Sequence, residues 1–391
     1  MQNSPEKARY DVVIIGAGPA GLNAGMKVSA QKALSVLLVD KKRPWDKPIP
    51  CAEGVGKLGL EDALSVDPSW IRLVISKATF SSPDNTSVTY EDKNKGYIID
   101  RAKMQYDLAN TLSDRGVECV FGHKVVAAQP PHNGYRKLEL ENGTSIEAKI
   151  VIDASGPVGL LGRQENICWK PYDLEPAYLI HAKGVDVPLD AVQIQTGQNI
   201  APGGYAWTFP RAQGEANIGV VVGNRFRAKV NIRSLLENYI NEHYPSAEIV
   251  KRFSGTISCG YKRETIALPG FIKAGDAANS INPISRAGIS EALISGALAG
   301  NCALEMLTEE NPKELQKICR RYEKSWFEKR GSRHLKLARV KASLYSVPDG
   351  DYNRAAKTLC ALSPQEITMS RIFKASLGRF PRLVWALRHL M

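Results

Sequence analysis

The amino-acid sequence predicts an α/β protein: a doubly wound, Rossmann-like domain that carries an inserted antiparallel-sheet domain and ends in a helical C-terminus. Three observations lead to this expectation. A β-branched apolar run, Tyr10 to Ile15, enters Gly16-Ala-Gly18-Pro19-Ala20-Gly21 directly. A second apolar stretch, Phe271 to Ala274, enters Gly275-Asp276-Ala277-Ala278 in the same manner. Between them, from Ala177 to Ser258, the pattern changes to short alternating strands separated by turn residues, which is the signature of an antiparallel sheet.

The elements follow in chain order. Tyr10 to Ile15 reads as a strand buried on both faces. Gly16, Gly18 and Gly21 have the spacing G-x-G-x-x-G. The first glycine permits a tight turn, the second lets backbone approach a pyrophosphate, and the third lets the next helix pack close to the strand. That helix, about Pro19 to Ala30, presents free N–H groups and its positive dipole end to the phosphates. Ser35 to Asp40 reads as the second strand. Asp40 lies about 20 residues past the last glycine, where a carboxylate meets ribose hydroxyls. The Lys41-Lys42-Arg43 turn reads as a solvated basic surface. Residues 71–99 suggest antiparallel strands, Ile98 to Gly116 a short strand and a helix, and Val117 to Phe121 another strand. Asn142-Gly143 marks a hairpin that leads into a buried strand, Ile150 to Ala154.

The segment after Phe271 points to a flavin. Asp276 is placed to accept a hydrogen bond from a ribityl hydroxyl. Asn282-Pro283 and Ala287-Gly288-Ile289 then open a helix whose first amides would face the flavin's pyrimidine edge. Ala292, Ser295, Gly296, Ala299 and Gly300 line one helical face with small residues, which demands close packing. The two glycine segments together predict FAD held along its length. Residues 1–70, 98–176 and 259–310 are expected to form the FAD-binding domain, residues 71–97 and 177–258 the antiparallel substrate domain, and residues 311–391 a C-terminal helical region.

Composition narrows the partners. The chain is 43% hydrophobic and 24% charged, a globular balance, with no apolar run of the roughly 18 residues a membrane span needs. A net charge of +12 suits anionic partners. Aromatic residues do not interleave with basic clusters, so an anionic membrane surface or a phosphorylated lipid is expected ahead of nucleic acid. Seven cysteines, an odd count without C-x-x-C, predict neither metal site nor disulfide framework and fit a reducing cytoplasm. The cofactor motif lies within the first 21 residues, which argues against a cleaved signal peptide. The stretch from Arg371 to Met391, with Phe373, Leu377, Phe380, Trp385 and Leu390 among arginines, suits peripheral membrane contact, interrupted by Pro381.

The arrangement resembles the FAD-dependent p-hydroxybenzoate hydroxylase superfamily and, within it, the geranylgeranyl reductase family over essentially the whole chain. GAGPAG with Asp40 is similar to the adenosine-side motif, and Arg101 to a cofactor-contacting arginine. Val151 to Arg163 resembles the family's Asp-Ala-x-Gly strand end with its trailing arginine, and AGDAANSINPISRAGI the flavin-side motif. Gly204 to Val220 resembles the reductases' aromatic-x-Trp-x-Phe-Pro pocket pattern. Two departures stand out: Gly219-Val220-Val221 lacks a second glycine, and where the family's flavin-side loop often reads Pro-Leu-x-Gly-x-Gly-Ile, Ser285-Arg286-Ala287-Gly288-Ile289 places arginine and alanine. The implied FAD contacts are Gly16, Gly18, Pro19, Ala20, Gly21, Asp40, Lys41, Ala52, Arg101, Ala154, Gly156, Gly275, Asp276, Pro283, Ala287, Gly288 and Ile289.

Pro50-Cys51-Ala52-Glu53-Gly54 resembles the reductases' cysteine loop, with Ala52 in place of glycine. The resemblance implies that Cys51 lies near the flavin and the reacting double bond, where a thiol protonates the alkene or shapes the pocket. Glu53 reads as a structural hydrogen-bond partner rather than an acid catalyst. Tyr205, Trp207 and Phe209 alternate and so share one strand face, which suits an apolar wall for an isoprenoid chain. The implied activity is saturation of polyprenyl C=C bonds by hydride from flavin N5, with NAD(P)H or ferredoxin as external reductant. The alternatives on the same scaffold are a flavin monooxygenase or halogenase, a membrane-associated electron-transfer flavoprotein, and a non-enzymatic lipid-binding flavoprotein.

Overall fold

The computed structural model describes residues 4–43, 45, 49–157, 159, 173–344, 347–363, 366–368, 370–372 and 375. Arg163, Cys168 and most of the C-terminal stretch, including Phe373, Leu377, Phe380, Trp385 and Leu390, lie outside these residues.

The chain begins with β1 (Arg9–Ile15), α1 (Pro19–Val28) and β2 (Val36–Asp40). The cysteine loop enters β3 (Gly54–Gly56) and α2 (Lys57–Ala63), followed by the long hairpin β4 (Ile71–Ser81) and β5 (Ser87–Ile99). Helix α3 (Arg101–Asp114) and β6 (Glu118–Phe121) return to the first layer. The meander β7 (Val125–Ala128), β8 (Arg136–Leu140) and β9 (Ser145–Asp153) follows, with Gly143 at φ +85° in its tight turn. Next come β10 (Leu174–Lys183), β11 (Ala191–Gln195), β12 (Tyr205–Ala212), β13 (Glu215–Val221), α4 (Ile232–His243) and β14 (Glu248–Ser258). The remainder is β15 (Ala267–Leu268), β16 (Phe271–Lys273) and the helices α5 (Ile289–Leu307), α6 (Pro312–Trp326), α7 (Ser332–Leu344) and α8 (Asp349–Cys360).

Among the described residues, two eight-stranded sheets result. The first runs β15-β16-β9-β1-β2-β6, parallel from β16 to β6, with β8 pairing β9 and β7 pairing β8. Alternate residues of its central strands enter two cores. Val12, Ile14, Val36 and Leu38 pack on the side of α1, α3 and α5, whereas Val13, Ile15, Leu37 and Val39 pack against the β7–β8 hairpin. This double burial explains why β1 reads as a continuous apolar run.

The second sheet runs β14-β10-β13-β12-β11-β4-β5-β3. Residues 54–56 and 174–176 join it, so the cysteine loop runs straight into this second sheet. One pairing, β4 with β11, is parallel. The sequence from Ala177 to Ser258 closes antiparallel within itself, but β4 arrives from a separate hairpin and is free to dock in either sense. One face of this sheet, with Ile180, Ala206 and Ile218, packs on Leu236, Tyr239 and Ile240 of α4. The other face looks back toward the cysteine loop.

Candidate functional site

The first glycine loop is built by backbone contact. Gly16 adopts φ +104°, and a Cβ there would lie 2.3 Å from the Ala154 carbonyl oxygen. A Cβ on Gly21 would lie 1.8 Å from the Gly16 carbonyl oxygen, so only glycine lets α1 leave β1 this closely. Gly18 is different. A Cβ there meets no protein atom within 4 Å, so this position is bare toward open space, as a ligand-facing backbone requires. Gly18 begins α1 without a side-chain cap and with Pro19 in the first turn, leaving amide donors for an anion. Asp40 braces the loop: its Oδ2 accepts from the Ala17 amide (2.7 Å) and its Oδ1 from the Lys42 amide (3.1 Å). Each oxygen keeps lone-pair capacity beyond these bonds. Burial raises the Asp40 carboxyl above its ordinary value. Lys41 is exposed beside it, and Gly156, at φ +93°, is also open.

The second loop meets the first. Gly275, at φ +63°, donates its amide to Ser295 Oγ (2.9 Å), and a Cβ on it would press on Ala20 (2.8 Å). On α5, Gly296 lies against the Ala20 carbonyl and Gly300 against Ala24, so the small-residue face seats α5 directly on α1. Asp276 follows, partly buried, with its carboxyl pushed up to about 6 by burial and held down by Arg101. Arg101 Nε donates to Gln105 (2.8 Å), and Gln105 Nε2 reaches the Ala17 carbonyl (3.4 Å), so a polar chain runs between the two loops. Asn282 Oδ1 caps the turn through the Ile284 and Ser285 amides (both 3.0 Å) beside buried Pro283. Ala287 is exposed, and Gly288 starts α5 with no side-chain cap ahead of Ile289, leaving first-turn amides open.

The cysteine loop packs on the aromatic face. Tyr205, Trp207 and Phe209 share one cluster with Ala52, Leu179 and Phe253, as their alternation predicts. Phe209 lies on Gly54, where a Cβ would come within 2.7 Å of its ring. Trp207 lies against Gly219, with 2.3 Å to a Cβ there, and meets Tyr205 edge-on at 6.2 Å. Trp207 Nε1 donates to Asn217 Oδ1 (3.0 Å), and Asn217 Nδ2 donates to the Cys51 carbonyl (2.7 Å). Cys51 is partly exposed, and its Sγ accepts from the Glu53 amide (3.3 Å). Cys119, Cys259, Cys302 and Cys319 are buried, and burial raises each thiol.

These features match known proteins along the whole chain. A family model described as the geranylgeranyl reductase catalytic domain matches residues 173–257, and one described as lycopene cyclase protein matches residues 11–191. Digeranylgeranylglycerophospholipid reductase 1 of Methanococcoides burtonii is 31% identical over 98% of this chain and 96% of its own length. The chain belongs to the geranylgeranyl reductase family. The digeranylgeranylglycerophospholipid reductase of Methanosarcina acetivorans is likewise 31% identical, over 97% of this chain and 96% of its own. A crystal structure of a geranylgeranyl bacteriochlorophyll reductase-like protein from Thermoplasma acidophilum superimposes with a TM-score of 0.85 at 25% identity, covering 98% of this chain and 99% of that one. A flavin-dependent brominase variant shares the fold alone, at 18% identity, a TM-score of 0.67, and coverage of 95% and 100%.

The cofactor of this family member is FAD, and the residues fit it: a bare Gly18, two uncapped helix starts, and the raised Asp276 carboxyl at the junction. Glu53 was legible as a hydrogen-bond partner, but its partners, and the residues around Arg286, escaped sequence reasoning. Glu53, at φ +62°, pairs with Arg211 on β12, and Arg211 also contacts His181 Nε2 (3.0 Å). Burial, then Arg211 and two further cations, lowers His181 to about 4, so its ring is neutral at pH 7. Arg286 is no longer merely a departure. At φ +58° it turns inward, pairs with fully buried Glu175 (2.7 Å) and stacks on the Tyr205 ring (4.8 Å). Lys341 of α7 joins Glu175 (2.8 Å) and Asp173 (2.6 Å). None of these pairs has a local spacing that could reveal it.

Proposed function

We propose that the protein saturates isolated C=C bonds in a polyprenyl chain of the geranylgeranyl type, borne on a lipid. One observation carries the reading: the Cys51 loop closes onto the Tyr205-Trp207-Phe209 face through Ala52 and Gly54, and Asn217 ties the Cys51 carbonyl to Trp207 of that face. FAD would be held by Gly16, Gly18, Pro19, Ala20, Gly21, Asp40, Lys41, Ala52, Arg101, Ala154 and Gly156, with Gly275, Asp276, Pro283, Ala287, Gly288 and Ile289 toward its flavin. When bound and reduced, the flavin would supply from N5 the hydride that one alkene carbon receives.

The chain's own residues do the rest. The aromatic face holds the apolar substrate and excludes water, which fixes the alkene in place. The Cys51 thiol gives its proton to the other alkene carbon and is reprotonated from solvent, so each bond gains one hydride and one proton. Arg211 neutralises Glu53, and His181 stays uncharged, which keeps excess charge away from an apolar chain. The electron donor is NAD(P)H or ferredoxin; a net charge of +12 suits an acidic ferredoxin and peripheral contact with an anionic membrane from the cytoplasmic side. Among the described residues no helix is long and apolar enough to cross a membrane.

The test is anaerobic. Chemically reduced protein is mixed with a geranylgeranyl-bearing phospholipid, and flavin absorbance and lipid mass are followed. Flavin reoxidation with two added mass units per bond is expected. Oxygenated or halogenated product formed only in air would overturn the proposal, and lipid binding without reoxidation would make the protein a carrier. Cys51→Ala and Trp207→Ala should retain FAD and lose alkene reduction; normal reduction in both would refute the site.

A further inference from the structure

We propose that Asn217 is the positioning residue for the Cys51 thiol, an assignment that rests on the reading of Cys51 given above. Asn217 is on β13, its side chain fully buried in a strand that is otherwise apolar after Glu215. A carboxamide there costs free energy unless it is hydrogen-bonded, and an apolar side chain would pack at least as well. Its partners show what it does. The indole N–H of Trp207 is donor-only, so its bond at 3.0 Å commits Asn217 Oδ1 and leaves Nδ2 to face away. Nδ2 then grips the Cys51 carbonyl at 2.7 Å, 166 residues away in sequence. Trp207 cannot drift, because its ring lies against Gly219 where not even a Cβ fits.

The other flank of the loop is held as well. Glu53 adopts a left-handed conformation, is tied to Arg211, and donates its amide to Cys51 Sγ at 3.3 Å. Cys51 therefore has two anchors, Asn217 on its carbonyl and the Glu53 amide on its Sγ. The substrate wall and the thiol are set by the same chain of bonds, so Trp207 acts on the reaction partly through Asn217.

Two variants test this. Asn217→Leu removes both bonds at similar volume. Asn217→Asp keeps a donor only while its carboxyl is protonated: the acid O–H can bond the Cys51 carbonyl, whereas the carboxylate would face it with no donor. The rate of Cys51 alkylation by iodoacetamide is read by peptide mass spectrometry in the FAD-loaded protein, relative to exposed Cys360. Asn217→Leu should raise that ratio several-fold and lower kcat about tenfold, with KM and FAD content unchanged. Asn217→Asp should match wild type in acid and match Asn217→Leu above its carboxyl transition, a pH profile that a merely structural role would not produce. An unchanged alkylation ratio in Asn217→Leu, or an Asn217→Asp profile parallel to wild type, overturns the inference. Undiminished alkene reduction in Cys51→Ala would instead overturn the role of the thiol, and the alkylation result stands apart from it.

Discussion

The Asp276 carboxyl makes the stability of the FAD-free protein depend on pH in a predictable sense. Burial lifts it from its ordinary value of 3.8 to about 6, and Arg101 offsets only part of that. The folded state thus keeps a proton through a pH range in which the unfolded chain has lost it. The stabilisation is fully present below pH 3.8 and is lost as pH rises through 6. The gap between the two values corresponds to about 3 kcal/mol at 1.36 kcal/mol per pH unit. Asp276→Asn removes the titration while keeping size and an acceptor oxygen. Relative to that variant, FAD-free wild type should lose up to about 3 kcal/mol of unfolding free energy between pH 4 and pH 7.5. Urea unfolding of both proteins across that range measures it. Parallel stability–pH curves would refute the reasoning, since they would show that the carboxyl titrates alike in folded and unfolded chains.

Two further outcomes follow from close contacts and buried charge. Gly21→Ala places a Cβ 1.8 Å from the Gly16 carbonyl, so α1 must move away from β1; purified protein should lose most of its flavin absorbance, and full flavin content at an unchanged Tm would contradict the role of this glycine. Glu175→Ala leaves Arg286 and Lys341 without their shared buried partner, which should cost about 3–5 kcal/mol in urea unfolding, and a cost below about 1 kcal/mol would show that the network is not coupled.

Several features were legible because they are local. The strand, glycine turn and helix around Gly16 to Gly21 satisfy one another within a short stretch, so the residue types reveal the geometry. The same holds for Gly275 and the small face of α5, where Gly296 and Gly300 announce close approach before their partner on α1 is known. The alternation of Tyr205, Trp207 and Phe209 likewise assigns them to one face, because side chains on a strand alternate sides. Asp40 was legible as an acid at the end of β2, but its bonds to the Ala17 and Lys42 amides were not. Arg286 looked like a disruption of a glycine loop, and its inward turn to Glu175 depends on a strand more than 100 residues earlier (111 by sequence separation).

The amino-acid sequence alone determined the cofactor class, the geometry of the two glycine loops, and the apolar strand face, because each depends on backbone conformation or periodicity over a few residues. Only the tertiary structure decided how Cys51, Asn217, Trp207, Glu53 and Arg211 meet. Their contacts arise from the pairing of β12 with β13 and from the cysteine loop running into β3 of the same sheet. Sheet registry between distant segments is set by the burial of whole faces, and no spacing within the chain encodes it.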